Sequence, residues 1–264
     1  NRSIGGLSFA NSNYTITGNT LTLATTFGSS NLQVNGAGVT ATIGSSIAGT
    51  STLTKTGSGT LKLTNINSHS GGTTVNEGTL ELAGASGGNS LVSGNVTVNS
   101  GATLALTGGD GTGFGWNNPI SSLTINGGTV NASGSSHLGF GAYANVALNQ
   151  GGTIAGNWQW NGDGLLGFTS SGDSTNTING LLNLRSDAGA NHTFNVADGA
   201  ASVDLQINAN LIDQYPEVWW LAASNLIKTG AGNAVLAGSN SHDGVTDIMG
   251  GMLTAAPSSA LGAG

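Results

Sequence analysis

Apolar residues along this chain come in short alternating runs. Leu7 and Phe9, Tyr14 and Ile16, Leu21 and Leu23, and Leu32 and Val34 each stand two positions apart with a polar residue between them. A period of two sends successive side chains to opposite faces of an extended backbone, so each run predicts a half-buried strand. A helical period of 3.6 nowhere lasts more than a few residues. Glycines such as Gly36, Gly38 and Gly44 punctuate the runs where strands turn.

A longer period is superposed on the short one. VNEGTL at 75–80, VNSGATL at 98–104, INGGTV at 125–130 and LNQGGTI at 148–154 each carry an apolar residue, an asparagine, a Gly-containing corner and another apolar residue. A repeat of roughly two dozen residues buries its apolar face only against its neighbours, which predicts a solenoid with three strands per turn. About a dozen turns, stacked ~4.8 Å apart, give a rod on the order of 50 Å long. Asn76, Asn99, Asn126 and Asn149 are then expected to form an amide ladder from turn to turn.

The firmest repeat is LTKTGSGTLKLTNINSHSGGTTVNEGTLEL, from Leu53 to Leu82, with a gap-free shifted copy from Leu226 to Leu253. Lys55 falls on Lys228, Gly57 on Gly230, Gly59 on Gly232, Leu63 on Leu236, Asn67 on Asn240, His69 on His242, Gly71 on Gly244, Thr73 on Thr246 and Leu80 on Leu253. The pattern K-T-G-x-G-x-L-x-L…N…G-x-T-x-V-x-x-G-x-L resembles the passenger-associated β-strand repeat of autotransporters. That resemblance implies an all-β, right-handed parallel β-helix outside the bacterial cell, and no activity. Residues 1–264 are expected to form a single solenoid domain, a piece of a larger secreted protein, at the bacterial surface or beyond it.

Composition narrows the chemistry. Charged residues make up 6% of the chain, with a formal charge of −7 and only Arg2, Lys55, Lys62, Arg185 and Lys228 on the basic side. Counterion-driven binding to nucleic acid or an anionic membrane needs clustered Lys and Arg, so both partners are disfavoured. No apolar run approaches the ~20 residues of a membrane-spanning helix. The chain has no cysteine, which removes disulfides and thiolate metal sites.

Catalysis needs more than this inventory offers. A glycosidase needs two carboxylates flanking one bond, and a lyase needs a base with neutralisation of the substrate acid. Asp163, Asp173, Arg185 and Asp187 form the single candidate cluster, and most such spacings are solvated loop charges. Lys55, Lys62 and Lys228 read as solvated members of the repeat. His69 and His242 share one repeat position, which points to corner hydrogen bonding; His137 and His192 have no partners at ligand spacing. Calcium at Gly/Asp corners such as Asp110, Asp163 or Asp173 is a weak expectation, because the repeated G-G-x-G-x-D nonapeptide is absent. No other cofactor is expected.

Binding has the better case. Trp116, Tyr143, Trp158 and Trp160, interleaved with Asn117, Asn161 and Asp163, supply flat aromatic surface beside short polar groups, as sugar rings require. Trp158 and Trp160 stand two apart and face the same way. The competing reading makes these aromatics core or corner fillers; it is weakened by the small residues elsewhere, which leave little room for indoles. Gly113-Phe114, Gly139-Phe140 and Gly167-Phe168 recur in successive units and predict a stacked phenylalanine column. The aromatic middle is similar to the β-helical carbohydrate-binding modules beside xylanases, which implies a plant polysaccharide, xylan foremost, as partner and hydrolysis by an appended catalytic domain. The sequence reading is therefore a non-catalytic polysaccharide-binding module. The alternative is an autotransporter-passenger-like stalk or adhesin, and a polysaccharide lyase or hydrolase comes third.

Overall fold

A computed structural model of the chain describes residues 2–11, 13–24, 29–84, 89–113, 120–138, 145–161, 167–185, 190–213, 223–256 and 259–262. Among these residues the regular elements are all β-strands, and the strands pair in parallel from one turn to the next. Two long sheets run the length of the rod. One has eleven strands, from Gly6–Phe9 to Thr246–Ile248, and the other thirteen, from Tyr14–Ile16 to Met252–Ala255. A third face opens with Arg2–Ile4, Leu21–Leu23 and Ile47–Gly49. The chain is a parallel β-solenoid with three faces, as the alternating runs predict.

The stacked registers follow the sequence units. Val75, Val98, Ile125 and Leu148 form one column, and Leu80, Leu104, Val130 and Ile154 another, all inside and at most 1% exposed. Each column is a line of apolar contacts that no single turn could make, so the core exists only through stacking. A turn takes as few as about 20 residues, where Leu53 pairs with Thr73, and as many as about 34, where Phe194 pairs with Lys228. The surplus in the longest turns lies in the connections, and the strand ladder keeps its register.

The middle of the rod departs from the simple pattern. Strand Thr153–Asn161 turns at Gly156, whose φ is +102°; a Cβ there would sit 2.0 Å from the Ala132 carbonyl oxygen, so only glycine fits the corner. Beyond the corner the same strand continues on the third face, pairing with Leu181–Arg185, which in turn pairs with Asn210–Ile212. Trp158 and Trp160 face inward there, 2% and 0% exposed. They share a face, as their spacing requires, but it is the inner one. Room for the Trp158 indole comes from its neighbour below, the buried Ser136, with Leu182 above. The indole N–H donates to the Ala155 carbonyl at 2.8 Å, so burial leaves no donor stranded. Trp160 meets Phe168, His192 and Phe194 edge-on, at centroid distances of 4.8, 4.8 and 5.2 Å.

Of the expected phenylalanine column, only Phe168 is among the described residues. Gly167 and Phe168 pair with Asn145 and Val146 on one side and with Thr193 and Phe194 on the other, so Phe168 stacks on Phe194. Phe114 and Phe140 lie outside the described residues.

Candidate functional site

The polar letters of the repeat turn inward. Lys55 and Lys228, read from sequence as solvated, are 0% and 1% exposed. The Lys55 ammonium donates to the carbonyls of Thr56, Gly57 and Glu77 at 3.0, 2.7 and 2.9 Å. Lys228 repeats this at Thr229, Gly230 and Gly250, at 3.0, 2.8 and 2.8 Å. A corner that swings three carbonyls inward leaves acceptors that no strand can pair, and an ammonium with three donors satisfies all of them. The glycine two positions on makes the corner possible. Gly57 has φ +76° and Gly230 φ +79°, and a Cβ would come within 2.4 and 2.2 Å of the Val34 and Val196 carbonyl oxygens.

Burial pushes the Lys55 ammonium down to about 8, with the Glu77 carboxylate pulling the other way. Burial also lowers Lys228, and there the opposing charge is Asp204, one turn below, because Gly250 stands where the first repeat has Glu77. Asp204 is itself buried and accepts from the Gly199 and Asn233 backbone N–H groups.

Asn67 and Asn240 bridge three turns. The Asn67 amide accepts from Ile47 N at 2.7 Å and donates to Leu91 O at 2.6 Å; Asn240 accepts from Leu211 N at 2.8 Å and donates to Ala260 O at 2.5 Å. The ladder predicted at the other corner is present: Asn99 donates to Asn76, Asn126 to Asn99 and Asn149 to Asn126, at 2.7, 3.3 and 2.9 Å, and the Ser171 hydroxyl closes it on Asn149.

His69 and His242 occupy one corner position, both 0% exposed, with Nε2 2.9 Å from Thr73 Oγ1 and 3.0 Å from Thr246 Oγ1. In both, Nδ1 is buried and faces no protein hydrogen-bond partner. A second ring proton would therefore be stranded, and burial holds His69 down at about 4. The unfolded chain takes up that proton first, so this group's stabilisation is complete above about pH 6.5 and is lost as pH falls towards about 4. The loss amounts to about 3 kcal/mol. Urea midpoints measured at pH 7.5, 5.5 and 4.5 are expected to fall in wild type and to fall less in His69→Gln; parallel slopes would refute the assignment.

The residues expected to bind sugar are not assembled into a platform. Trp158 and Trp160 are core. Trp116, Asn117, Tyr143 and Asp163 lie outside the described residues, and of Asn161 only the backbone, at the end of its strand, is described. In the expected acidic cluster, Arg185 donates to Gln159 Oε1 at 3.4 Å and Asp173 accepts from Ala200 N at 3.3 Å, while Asp163 and Asp187 fall outside the described residues. Asp110, a candidate calcium corner, is engaged by the His137 backbone N–H and ring Nδ1, both at 2.9 Å. Among the described residues no group of three or more His, Asp or Glu side chains is arranged to hold a metal ion, and no helix is long and apolar enough to cross a membrane. What sequence reasoning missed is the buried lysine pair; its signal was the coincidence of Lys55 and Lys228 in a chain that has only three other basic residues.

Comparison with known proteins agrees with this picture of repeat corners. The passenger-associated-transport-repeat family model matches residues 53–82 and 226–255, the two segments whose lysine, asparagine and histidine networks coincide. The adhesin BmaC autotransporter of Brucella suis is 41% identical over 106 residues, which is 38% of this chain and 3% of that adhesin. The chain thus corresponds to a small part of the relative's length. No solved structure matches the chain. These findings overturn the polysaccharide-module reading: the likeness is to an autotransporter passenger and adhesin, none is to a xylanase-associated module, and the two central tryptophans that carried the reading are inside the rod. Two stretches of this solenoid match the passenger-associated-transport-repeat family, and over 106 residues the chain is similar to an autotransporter adhesin.

Proposed function

We propose that the chain is a rigid segment of an autotransporter-type passenger, secreted and exposed at the bacterial surface, where it forms part of an adhesin. The observation that carries this reading is the identity of the two repeat corners. Lysine, asparagine, histidine and threonine make the same buried bonds in segments that both match the passenger repeat. The role that follows is mechanical. A rod whose corners are locked from inside, with 6% charged residues and no cysteine, holds its shape outside the cell without disulfides. The adhesin relative supplies the surface setting and the attachment role.

The test is in cells that carry the gene. Antibodies raised against residues 1–264 are expected to label intact, unpermeabilised bacteria, and an in-frame deletion of this segment is expected to reduce attachment to host cells or abiotic surfaces. Labelling only after permeabilisation would refute surface exposure. Unchanged attachment by a deletion strain that still displays the remaining protein would refute the adhesive role.

A further inference from the structure

Asn35, Asn126, Asn161 and Asn179 each stand directly before a glycine. In such a pair the glycine nitrogen can attack the asparagine carboxamide, because no side chain shields it and the glycine backbone turns freely into position. The fold holds three of these pairs in different ways; Gly162, the partner of Asn161, lies outside the described residues.

Asn126 is clamped. Its carboxamide donates to Asn99 at 3.3 Å and accepts from Asn149 at 2.9 Å, while the Gly127 N–H, the attacking nitrogen, donates to the Asn149 carbonyl at 2.8 Å. Asn179 is held from the turns on either side. Its Oδ1 accepts from Asn208 at 2.9 Å, its N–H donates to the Ile154 carbonyl at 2.9 Å, and the Gly180 carbonyl accepts from the Asn210 N–H at 2.9 Å. Asn35 is held least. Among the described residues its carboxamide has one partner, the hydroxyl of the exposed Ser8 at 3.3 Å, and the Gly36 N–H has no acceptor. Residues 36–38 are exposed, with φ +91° at Gly36 and +83° at Gly38, and nothing packs over Gly38. The Gly36 carbonyl accepts only from Val39 N, at 3.1 Å and inside the same turn, so this tip can bend without opening the strand ladder.

We propose that Asn35 is a self-modification site, where the folded chain deamidates to aspartate and isoaspartate ahead of Asn179 and Asn126. Solvent hydroxide takes the Gly36 amide proton, and the nitrogen bonds to Asn35 Cγ. The Cγ–Nδ2 bond breaks, and Nδ2 leaves as ammonia with a proton from water. Water then opens the cyclic imide. Cleavage of the new bond leaves aspartate; cleavage of the old peptide bond leaves isoaspartate, whose main chain runs through Cβ and Cγ and is longer by a carbon. No oxidant or reductant is involved. Aspartate keeps the corner, since the Ser8 hydroxyl donates to a carboxylate as readily as it accepted from the amide. Isoaspartate displaces it, between strands Ser29–Val34 and Thr40–Ile43, where Asn35 N donates to Phe9 O and Val39 O accepts from Thr60 N. An aged molecule thus carries an added negative charge and a loosened corner in its second turn.

The whole 264-residue protein, incubated at mildly alkaline pH and sampled over time, tests the site. Peptic mapping by mass spectrometry reads deamidation at each asparagine, and labelling by isoaspartyl methyltransferase reads isoaspartate. Asn35 is expected to react about tenfold faster than Asn126 or more, with Asn179 between them, because the clamped pairs react only from locally opened molecules. In concentrated urea the three rates are expected to converge, which assigns the difference to the fold. Hydrogen exchange at residues 36–40 is expected to rise in aged wild type and to stay unchanged in aged Asn35→Gln. The site is refuted if Asn126 or Asn179 reacts as fast as Asn35 in the folded protein, or if the spread of rates persists in urea. Exchange at residues 36–40 that ageing leaves unchanged in wild type refutes the loosened corner.

Discussion

Replacing Lys55 by methionine is expected to destabilise the protein by several kcal/mol, although lysine is ordinarily the most dispensable of surface residues. The stem packs as well in methionine as in lysine, so the loss isolates the ammonium. Three carbonyls, of Thr56, Gly57 and Glu77, lose their donor inside a corner where the lysine is fully buried. A hydrogen bond to a charged group contributes about 1.5–3 kcal/mol, and a stranded buried acceptor costs about 1–3 kcal/mol. The three are not additive, because the corner relaxes, and a loss of about 3–5 kcal/mol is the expectation. Lys62→Met is the control. Its ammonium bonds Glu81 at 3.0 Å on the outer face, and a partly exposed pair of this kind contributes about 1 kcal/mol at most. Urea unfolding followed by far-UV circular dichroism reads both variants, and hydrogen exchange locates the opening. Exchange is expected to rise first at residues 55–60 and 76–79, since a solenoid is stabilised turn by turn. Equal effects of the two substitutions would show that the carbonyl nest is satisfied without its lysine.

Lys55 also marks where the sequence could be read and where it could not. The period of two, the unit of two dozen residues and the asparagine ladder are properties of positions, and they survive into the structure in the predicted register. The direction in which a polar residue points at a corner is a property of the backbone there, and the alternation rule does not reach corners. Lys55 lies at an inward position of strand Thr52–Thr56, where the alternation of Leu53 and Lys55 did announce burial. A general preference of lysine for solvent overrode that signal. The error over Trp158 and Trp160 was of the opposite kind. Their spacing gave a common face, but inside and outside differ by one residue of register, and the corner at Gly156 was what fixed it. The small residues taken to exclude indoles proved to make space for them, with Ser136 lying below Trp158.

That placement carries the second large effect. Trp160→Ala is expected to cost about 3–5 kcal/mol, the range for removing a large aromatic from a packed interior. The indole is the centre of a cluster: Phe168 and Phe194 each meet it edge-on and lie 5.4 Å from one another, and His192 closes a third side. His192 Nε2 is 3.0 Å from the Trp160 backbone carbonyl, a contact that alanine retains. The loss therefore falls on packing, and Trp160→Phe, which keeps a ring in contact with both phenylalanines, is expected to lose clearly less. The quenching behaviour of tryptophan emission separates a core residue from a surface one. Trp158→Phe and Trp160→Phe are each expected to remove emission that acrylamide reaches poorly, so the fraction of accessible emission rises in both variants. A fall in that fraction would put the indoles at the surface, and a Trp160→Ala protein as stable as wild type would do the same. Either result would return the middle of the rod to the list of candidate contact surfaces. The expected results would assign these aromatics to the packing that holds the middle of the rod together.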